Sequence, residues 1–187
     1  MDLSLAKLKV LETLLLYDEP VKAAQIAKEL GTDQKAVQMH LIGLVRIGYA
    51  ETPKKGQYVI SENGKRSLGI PEVTKEKALT ILAQNPHEKA FHFYVEVGKP
   101  LSVYASDLLD FCDKLGKVSL ESVEFHFARG DFEAWFRFLG DEELSKKMEL
   151  LKRKKTISEE LRTKIRQVTE NRCLLLARRT GQTIPSP

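Results

Sequence analysis

The sequence predicts an α+β protein, mostly α, built from two modules, and three observations carry that prediction. Apolar residues recur every three or four positions through most of the chain, as in helices that bury one face. Short stretches such as QYVI (57–60) and FHFYVEV (91–97) have instead the composition or the strict alternation of strands. Charge is unevenly placed: residues 1–70 hold 10 Lys and Arg against 8 Asp and Glu, residues 71–145 hold 8 against 14, and residues 146–187 hold 12 against 4. An acidic middle between more basic ends argues for separate modules. The expected organisation is a first domain over residues 1–70, a linker helix over 71–86 and a second domain over 87–187, within what 187 residues can fold.

In the first domain, Leu5, Leu8, Leu11, Leu15 and Leu16 define an amphipathic helix that should stop near Asp18-Glu19-Pro20, because proline disfavours helix in the residue before it. A second helix is expected over residues 21–30, ended by Gly31 in a left-handed conformation, with Thr32 capping the next helix. That third helix should run to about Ile47 and close at Gly48. Its Val37, Leu41 and Leu44 recur at i, i+4 and i+7 and must face a core, which turns Lys35, Met39, Ile42 and Arg46 outward with Gln34 and Gln38 on the flank. Residues 49–52 and 57–60 read as two strands joined by a Pro-Lys-Lys-Gly turn at 53–56, and Ser61 caps a short helix after them.

The stretches AAQIAKELGTDQKAVQMHLIGLVRIGYAE and GQYVISENGKRSLG place a helix-turn-helix, a Gly-ended third helix and a hairpin in that order. They resemble the winged helix-turn-helix family of archaeal and bacterial transcription regulators. The fold class is then an N-terminal winged helix-turn-helix followed by a C-terminal helical domain with a small β-sheet. The resemblance implies binding of double-stranded DNA, with the third helix in the major groove and the hairpin wing on the backbone. Carried onto this sequence, Gln34, Lys35 and Gln38 would reach base edges, Met39 would pack on a thymine methyl, Thr32 would donate to a phosphate, and Arg46, Lys54 and Lys55 would supply cations. A homodimer reading a palindrome is the expected assembly. The alternative is a protein–protein interaction module, since a domain charge of +2 is small for a partner of DNA, and Met39 and Ile42 on a polar face suit association.

In the second domain, residues 74–85 read as the connecting helix, with Ala78, Leu79, Ile81 and Leu82 apolar and Pro86 ending it. FHFYVEV (91–97) and VEFHF (123–127) read as two strands with a helix at 104–115 between them. Three further helices are expected at 131–139, 141–153 and 158–179, capped by Asp131, Asp141 and a Thr156/Glu159 capping box. The Arg-Gly-Asp triplet at 129–131 reads as a helix start, Trp135 as core, and the basic run at 146–155 as a solvated face or a partner for the acidic middle. FHFARGDFEAWFRFLGDEELSKKMELL resembles an uncharacterised, mostly archaeal domain family found beside winged helices, a resemblance that implies no established function; in a regulator this domain would supply assembly or the sensing of some small effector.

A metal or enzymatic role for this domain would need His92, Glu96, Glu124 and His126 on one sheet face. No HExxH, GxSxG or glycine-rich phosphate loop is present, so neither an enzyme nor a cofactor is expected. Cys112 and Cys173 each sit in an apolar helical pattern and not in a CxxC pair, which suggests no disulfide scaffold or zinc cluster and fits a reducing cytoplasm. The N-terminus lacks the basic head and apolar run of a signal peptide, and no stretch approaches the ~20 apolar residues of a membrane span, so a cytoplasmic protein without membrane contact is expected.

Overall fold

The structure, a computed structural model, describes residues 3–154 and 158–183. The chain is α+β and mostly helical, and it divides between Glu72 and Val73 into two compact units.

The first unit contains α1 (Leu5–Leu15), β1 (Val21–Lys22), α2 (Ala23–Leu30), α3 (Gln34–Arg46), β2 (Ala50–Lys54), β3 (Gln57–Ile60) and α4 (Glu62–Ser67), with the strands antiparallel in the order β1-β3-β2. The helical periods meet in one core: Leu11, Leu14 and Leu15 of α1, Ile26 and Ala27 of α2, and Val37, Leu41 and Leu44 of α3 are all buried. Two local expectations are corrected. The second helix starts at Ala23, because Val21 and Lys22 are extended and pair with Tyr58 and Gln57 of β3. The cap of α3 is Asp33 and not Thr32: Gly31 closes α2 at φ +61°, and it is the extended Asp33 whose carboxylate accepts the Ala36 N–H at 2.9 Å.

The hairpin is longer than expected. Pro53 and Lys54 continue β2, leaving Lys55 and Gly56 as the turn, and Pro53, which has no N–H to give a ladder, falls where the register shifts between Glu51 and Lys54. Its base is tied down tightly. Ser61 donates its N–H to the Tyr49 carbonyl at 3.1 Å and its hydroxyl to the Gly48 carbonyl at 2.6 Å, while that hydroxyl accepts the Gly64 N–H at 3.0 Å. Gly64 lies so close to β2 that a Cβ there would stand 2.1 Å from the Tyr49 carbonyl oxygen.

The second unit contains α5 (Lys75–Leu82), a single 3-10 turn (His87–Lys89), β4 (Phe91–Glu96), β5 (Lys99–Ala105), α6 (Leu108–Leu115), α7 (Leu120–Arg129), α8 (Asp131–Leu139), α9 (Glu142–Arg153) and α10 (Ser158–Thr180). The long α10 packs against α5, α6, α7 and α9. Phe93, Phe111, Phe132 and Phe136 fill the middle with no solvent exposure, and Trp135 is core as expected, donating its indole N–H to the Lys89 carbonyl at 3.2 Å. Within residues 71–86, α5 turns Ala78 and Ile81 inward and rests on α10, so this helix is part of the second unit.

Residues 123–127 are not a strand. They lie in α7, capped by Ser119, ended by Gly130 at φ +82°, with Val123 and Phe127 buried at i and i+4. The partner of β4 is β5, reached through a Gly98 turn at φ +80°. Tyr104 accordingly belongs to a strand opposite His92, and the helix expected from residue 104 begins at Leu108, where the Asp107 carboxylate accepts the Asp110 N–H at 2.8 Å. Asp141 caps α9 as expected, accepting the Leu144 N–H at 3.0 Å. Asp131 is instead the first residue of α8, its carboxylate engaged by His126 and Arg129. The Thr156/Glu159 capping box rests on residues outside those described.

Candidate nucleic-acid interface

Helix α3 separates its two faces sharply. Val37, Leu41 and Leu44 are at most 1% exposed, while Gln34, Lys35, Gln38, Met39, Ile42 and Arg46 are all exposed. Val37 and its companions thus fix the helix by burial, and the opposite side chains take no part in that core. Thr32 is exposed just ahead of the helix, at the positive end of α3, and its own N–H is spent on the Ala27 carbonyl at 3.0 Å. The structure therefore gathers Thr32 and the five predicted α3 residues on one element and its leading turn.

The chain leaves α3 through Gly48, whose N–H reaches the Val45 carbonyl at 3.0 Å, and Tyr49, whose N–H reaches the Leu44 carbonyl at 2.9 Å. This short exit fixes where the hairpin begins. Lys54 and Lys55 sit at its tip, both exposed. The hairpin base has a different character: Glu51, Glu62, Asn63 and Arg66 line an open groove of about 560 Å³, and Arg66 pairs with Glu72 at 3.5 Å. A polyanion would be repelled by the two carboxylates at the base and attracted to the two lysines at the tip. One cation was missed. Lys7 of α1 lays its side chain over Gly43, where a Cβ would meet the lysine Cε at 3.3 Å, so this charge lies against α3.

The second unit shows a different kind of site. His126 is 3% exposed and surrounded by the rings of Phe91, Phe93, Tyr94, Phe125 and Phe132. Its Nε2 accepts the Tyr94 N–H at 2.8 Å, which puts the proton on Nδ1, 2.7 Å from the Asp131 carboxylate. Burial pushes its pKa below the ordinary histidine value, against the opposing pull of Asp131. Both nitrogens are engaged, and His92 is occupied elsewhere, its Nε2 2.9 Å from the His87 carbonyl. The sheet face expected to gather His92, Glu96, Glu124 and His126 does not exist, because Glu124 and His126 are on α7. Among the described residues no cluster of three or more His, Cys, Asp or Glu could hold a metal ion.

A buried ionic cluster was also not foreseen. Arg172 of α10 donates Nε to Asp141 and Nη1 to Glu143, both at 2.7 Å, and Lys147 lies 3.4 Å from Glu143. All four residues are under 5% exposed. Lys152 reaches the buried Glu133 at 3.0 Å. Here the basic run and α10 meet the acidic middle of the chain, and Lys147 is wholly buried where a solvated face was expected.

Comparison with known proteins bears on the second unit. A family model described as a family of unknown function, DUF5752, matches residues 70–170. The chain belongs to this family. The DUF5752 segment runs from the end of the first unit through α5 to the middle of α10, and so includes the aromatic core, His126 and three of the four clustered charges. The chain is also similar to the uncharacterized protein MJ0558 of Methanocaldococcus jannaschii, at 32% identity over 65 residues, which is 35% of this chain and 25% of that protein. The aligned part thus spans a quarter of the relative's length. No solved structure matches this DUF5752 chain. No helix among the described residues is long and apolar enough to cross a membrane.

Proposed function

We propose that the first unit is a winged helix-turn-helix that binds double-stranded DNA, and that the chain is a cytoplasmic transcriptional regulator acting as a homodimer, not an enzyme. The observation that supports this most is the division of α3, with Val37, Leu41 and Leu44 buried and Gln34, Lys35, Gln38, Met39 and Arg46 exposed. In this reading α3 enters the major groove. Gln34 and Gln38 can pair with adenine edges, Met39 packs on a thymine methyl, and Thr32 donates to a phosphate. Lys54 and Lys55 touch the backbone from the hairpin tip, and Arg46 adds a cation at the far end of α3. A two-fold dimer would place two such helices roughly 34 Å apart, one turn of duplex.

The test is duplex binding by the full chain at several salt concentrations. Affinity should fall with added salt, and K35A/Q38A/K54A/K55A should weaken binding and flatten the salt dependence, by a slope of about one for each lysine that no longer meets a phosphate. Binding that ignores both salt and these four substitutions would remove the reading. Light scattering on the eluting protein tests the dimer.

A second reading is favoured by one observation: Met39 and Ile42 are 66 and 40% exposed, an apolar presence on the outward side of α3. These would suit a protein partner. M39A/I42A would then abolish association while leaving any duplex binding by the lysines in place.

A further inference from the structure

We propose, on the basis of the DNA-binding reading of the first unit, that Lys7 of α1 is a further contact to the duplex: an ammonium group that Gly43 admits onto the flank of α3, where it meets a backbone phosphate. Gly43 stands in the interior of α3, and glycine is among the poorest helix formers. It is not one of the glycines held at positive φ, and no crossing backbone needs the space. Outside its own helix and chain neighbours, the only described atoms within 4 Å of a Cβ at this position are Lys7 Cε at 3.3 Å and Nζ at 3.4 Å. What the missing side chain makes room for is therefore a charge. Lys7 is half-buried and has no ion pair among the described residues.

At about 100° of rotation per residue, Gln34 and Gln38 lie to one side of the outward residues of α3, and Ala36 and Gly43 to the other. A helix about 10–12 Å across fills a major groove about 12 Å wide, so each flank faces one of the two phosphate backbones. Gln34 and Gln38 carry donors on their side. Ala36 and Gly43 carry none, and the backbone opposite them would meet bare helix. Lys7 places a cation there from a different helix, while Lys35 and Arg46 stay on the outward row between the flanks. A cation beside a phosphate adds affinity whatever the base sequence, with one more counterion released.

Duplex binding by the full chain is measured across a salt series for the wild type, K7A, K7R, G43A and K9A, with a thermal melt of each. K7A should weaken binding roughly five- to ten-fold at about 0.1 M salt and lower the slope of log affinity against log salt by about one. Its melting temperature should stay within about 3 °C of the wild type, as for a surface side chain. K7R should keep the slope. G43A should melt no lower than the wild type, because alanine favours helix and the displaced atoms end a flexible side chain, and yet bind like K7A. Lys9 is exposed on the same helix but turned about 200° from Lys7, so K9A should keep the slope. If K7A binds like the wild type while K35A/Q38A/K54A/K55A does not, the Lys7 contact is overturned and the DNA-binding reading stands. If the wild type ignores both salt and those four substitutions, the two fall together. A K7A loss shared by K9A, or matched by a loss of melting temperature, would assign the effect to net charge or to stability and overturn the contact. G43A binding like the wild type would overturn the role of Gly43.

Discussion

On α3 of the first unit, Gln34, Lys35, Gln38 and Arg46 are all exposed and the buried side is purely aliphatic; on α9 and α10 of the second, Lys147, Glu143 and Arg172 are buried with Asp141 beside them. The two regions thus use charge for opposite ends. On α3 polarity marks what faces outward, so the helix is held by aliphatic burial and its polar face lies outside the core. In the second unit charge is part of the interior, where it costs desolvation and is kept only by mutual pairing. Arg172 ties the start of α9 to the middle of α10 through two 2.7 Å bonds, and Asp141 serves two roles, capping α9 with one oxygen and receiving Arg172 on the other.

The largest effect should come from breaking that buried set. Arg172→Met keeps much of the volume but leaves Asp141 and Glu143 with Lys147 as their remaining cation in the cluster, and should cost about 3–5 kcal/mol, the usual result of stranding a buried charge. Urea denaturation followed by the fluorescence of Trp135, the chain's single tryptophan and a core residue of this unit, measures it. A loss below about 1 kcal/mol would mean that water relaxes the site and that the contrast between the two units is weaker than the geometry implies.

In the first unit the equivalent weak point is steric, not electrostatic. Gly64→Ala would put a methyl 2.1 Å from the Tyr49 carbonyl oxygen and 2.9 Å from Ile60 Cγ1, and since the closer atom is backbone no rotamer relieves it. Overpacking of this kind costs about 1–3 kcal/mol and should displace α4 from the hairpin base. Thermal melts by far-UV circular dichroism give the loss, and the duplex binding proposed for Lys54 and Lys55 should fall with it.

The same contrast explains what the sequence made legible. α3 could be read almost to the residue and α2 nearly so, because Val37 and Leu41 are apolar where buried and Lys35 and Gln38 polar where exposed; α1 was read less well, since Leu5 of its expected apolar stripe is 68% exposed while Val10 and Leu14, outside that stripe, are buried. What failed there was fine: Asp33 caps in place of Thr32, and Val21-Lys22 is strand because Tyr58 and Gln57 lie opposite, a pairing no local pattern contains. In the second unit the period misled. VEFHF alternates, but His126 is interior and Phe125 only half-buried, so the alternation is accidental and the Val123–Phe127 spacing is the one that counts. The expected helix over 104–115 likewise swallowed the end of β5. Arg172 was missed because its burial depends on carboxylates supplied by α9 and its cap, Lys147 because its i,i+4 partner Glu143 is itself buried under α10, and Lys7 because its approach to Gly43 joins two helices far apart in the chain.

A smaller effect should appear with pH. His126 is held neutral, with Nε2 facing a donor, the Tyr94 N–H, and Asp131 on its other nitrogen; Arg129, bonded to the same carboxylate at 3.2 Å, disfavours a second positive charge. Its folded pKa lies below the unfolded value of about 6.5, so on acidification the unfolded chain takes up the proton first. Stability contributed by the neutral imidazole is therefore complete above the unfolded pKa and declines as pH falls from there toward the folded one. His126→Gln, which cannot titrate, should flatten this slope in the Trp135 denaturation experiment even if it lowers stability at neutral pH. A slope unchanged by the substitution would show that His126 does not carry the acid sensitivity.

The smallest effect on stability should be found where the functional effect is expected to be largest. Lys35→Ala and Gln38→Ala alter side chains that are exposed on α3, opposite Val37, Leu41 and Leu44, and alanine is a better helix former than either. Each should change stability by less than about 0.5 kcal/mol in either direction, while weakening duplex affinity if the outward face is the DNA-reading surface. Stability and affinity must be measured on the same preparations, because their separation is the point. Residues that the fold needs lose both together, as Gly64→Ala should. A loss of more than about 1 kcal/mol on Lys35→Ala or Gln38→Ala would show that these side chains work for the fold, and the face of α3 could no longer be treated as free for a ligand.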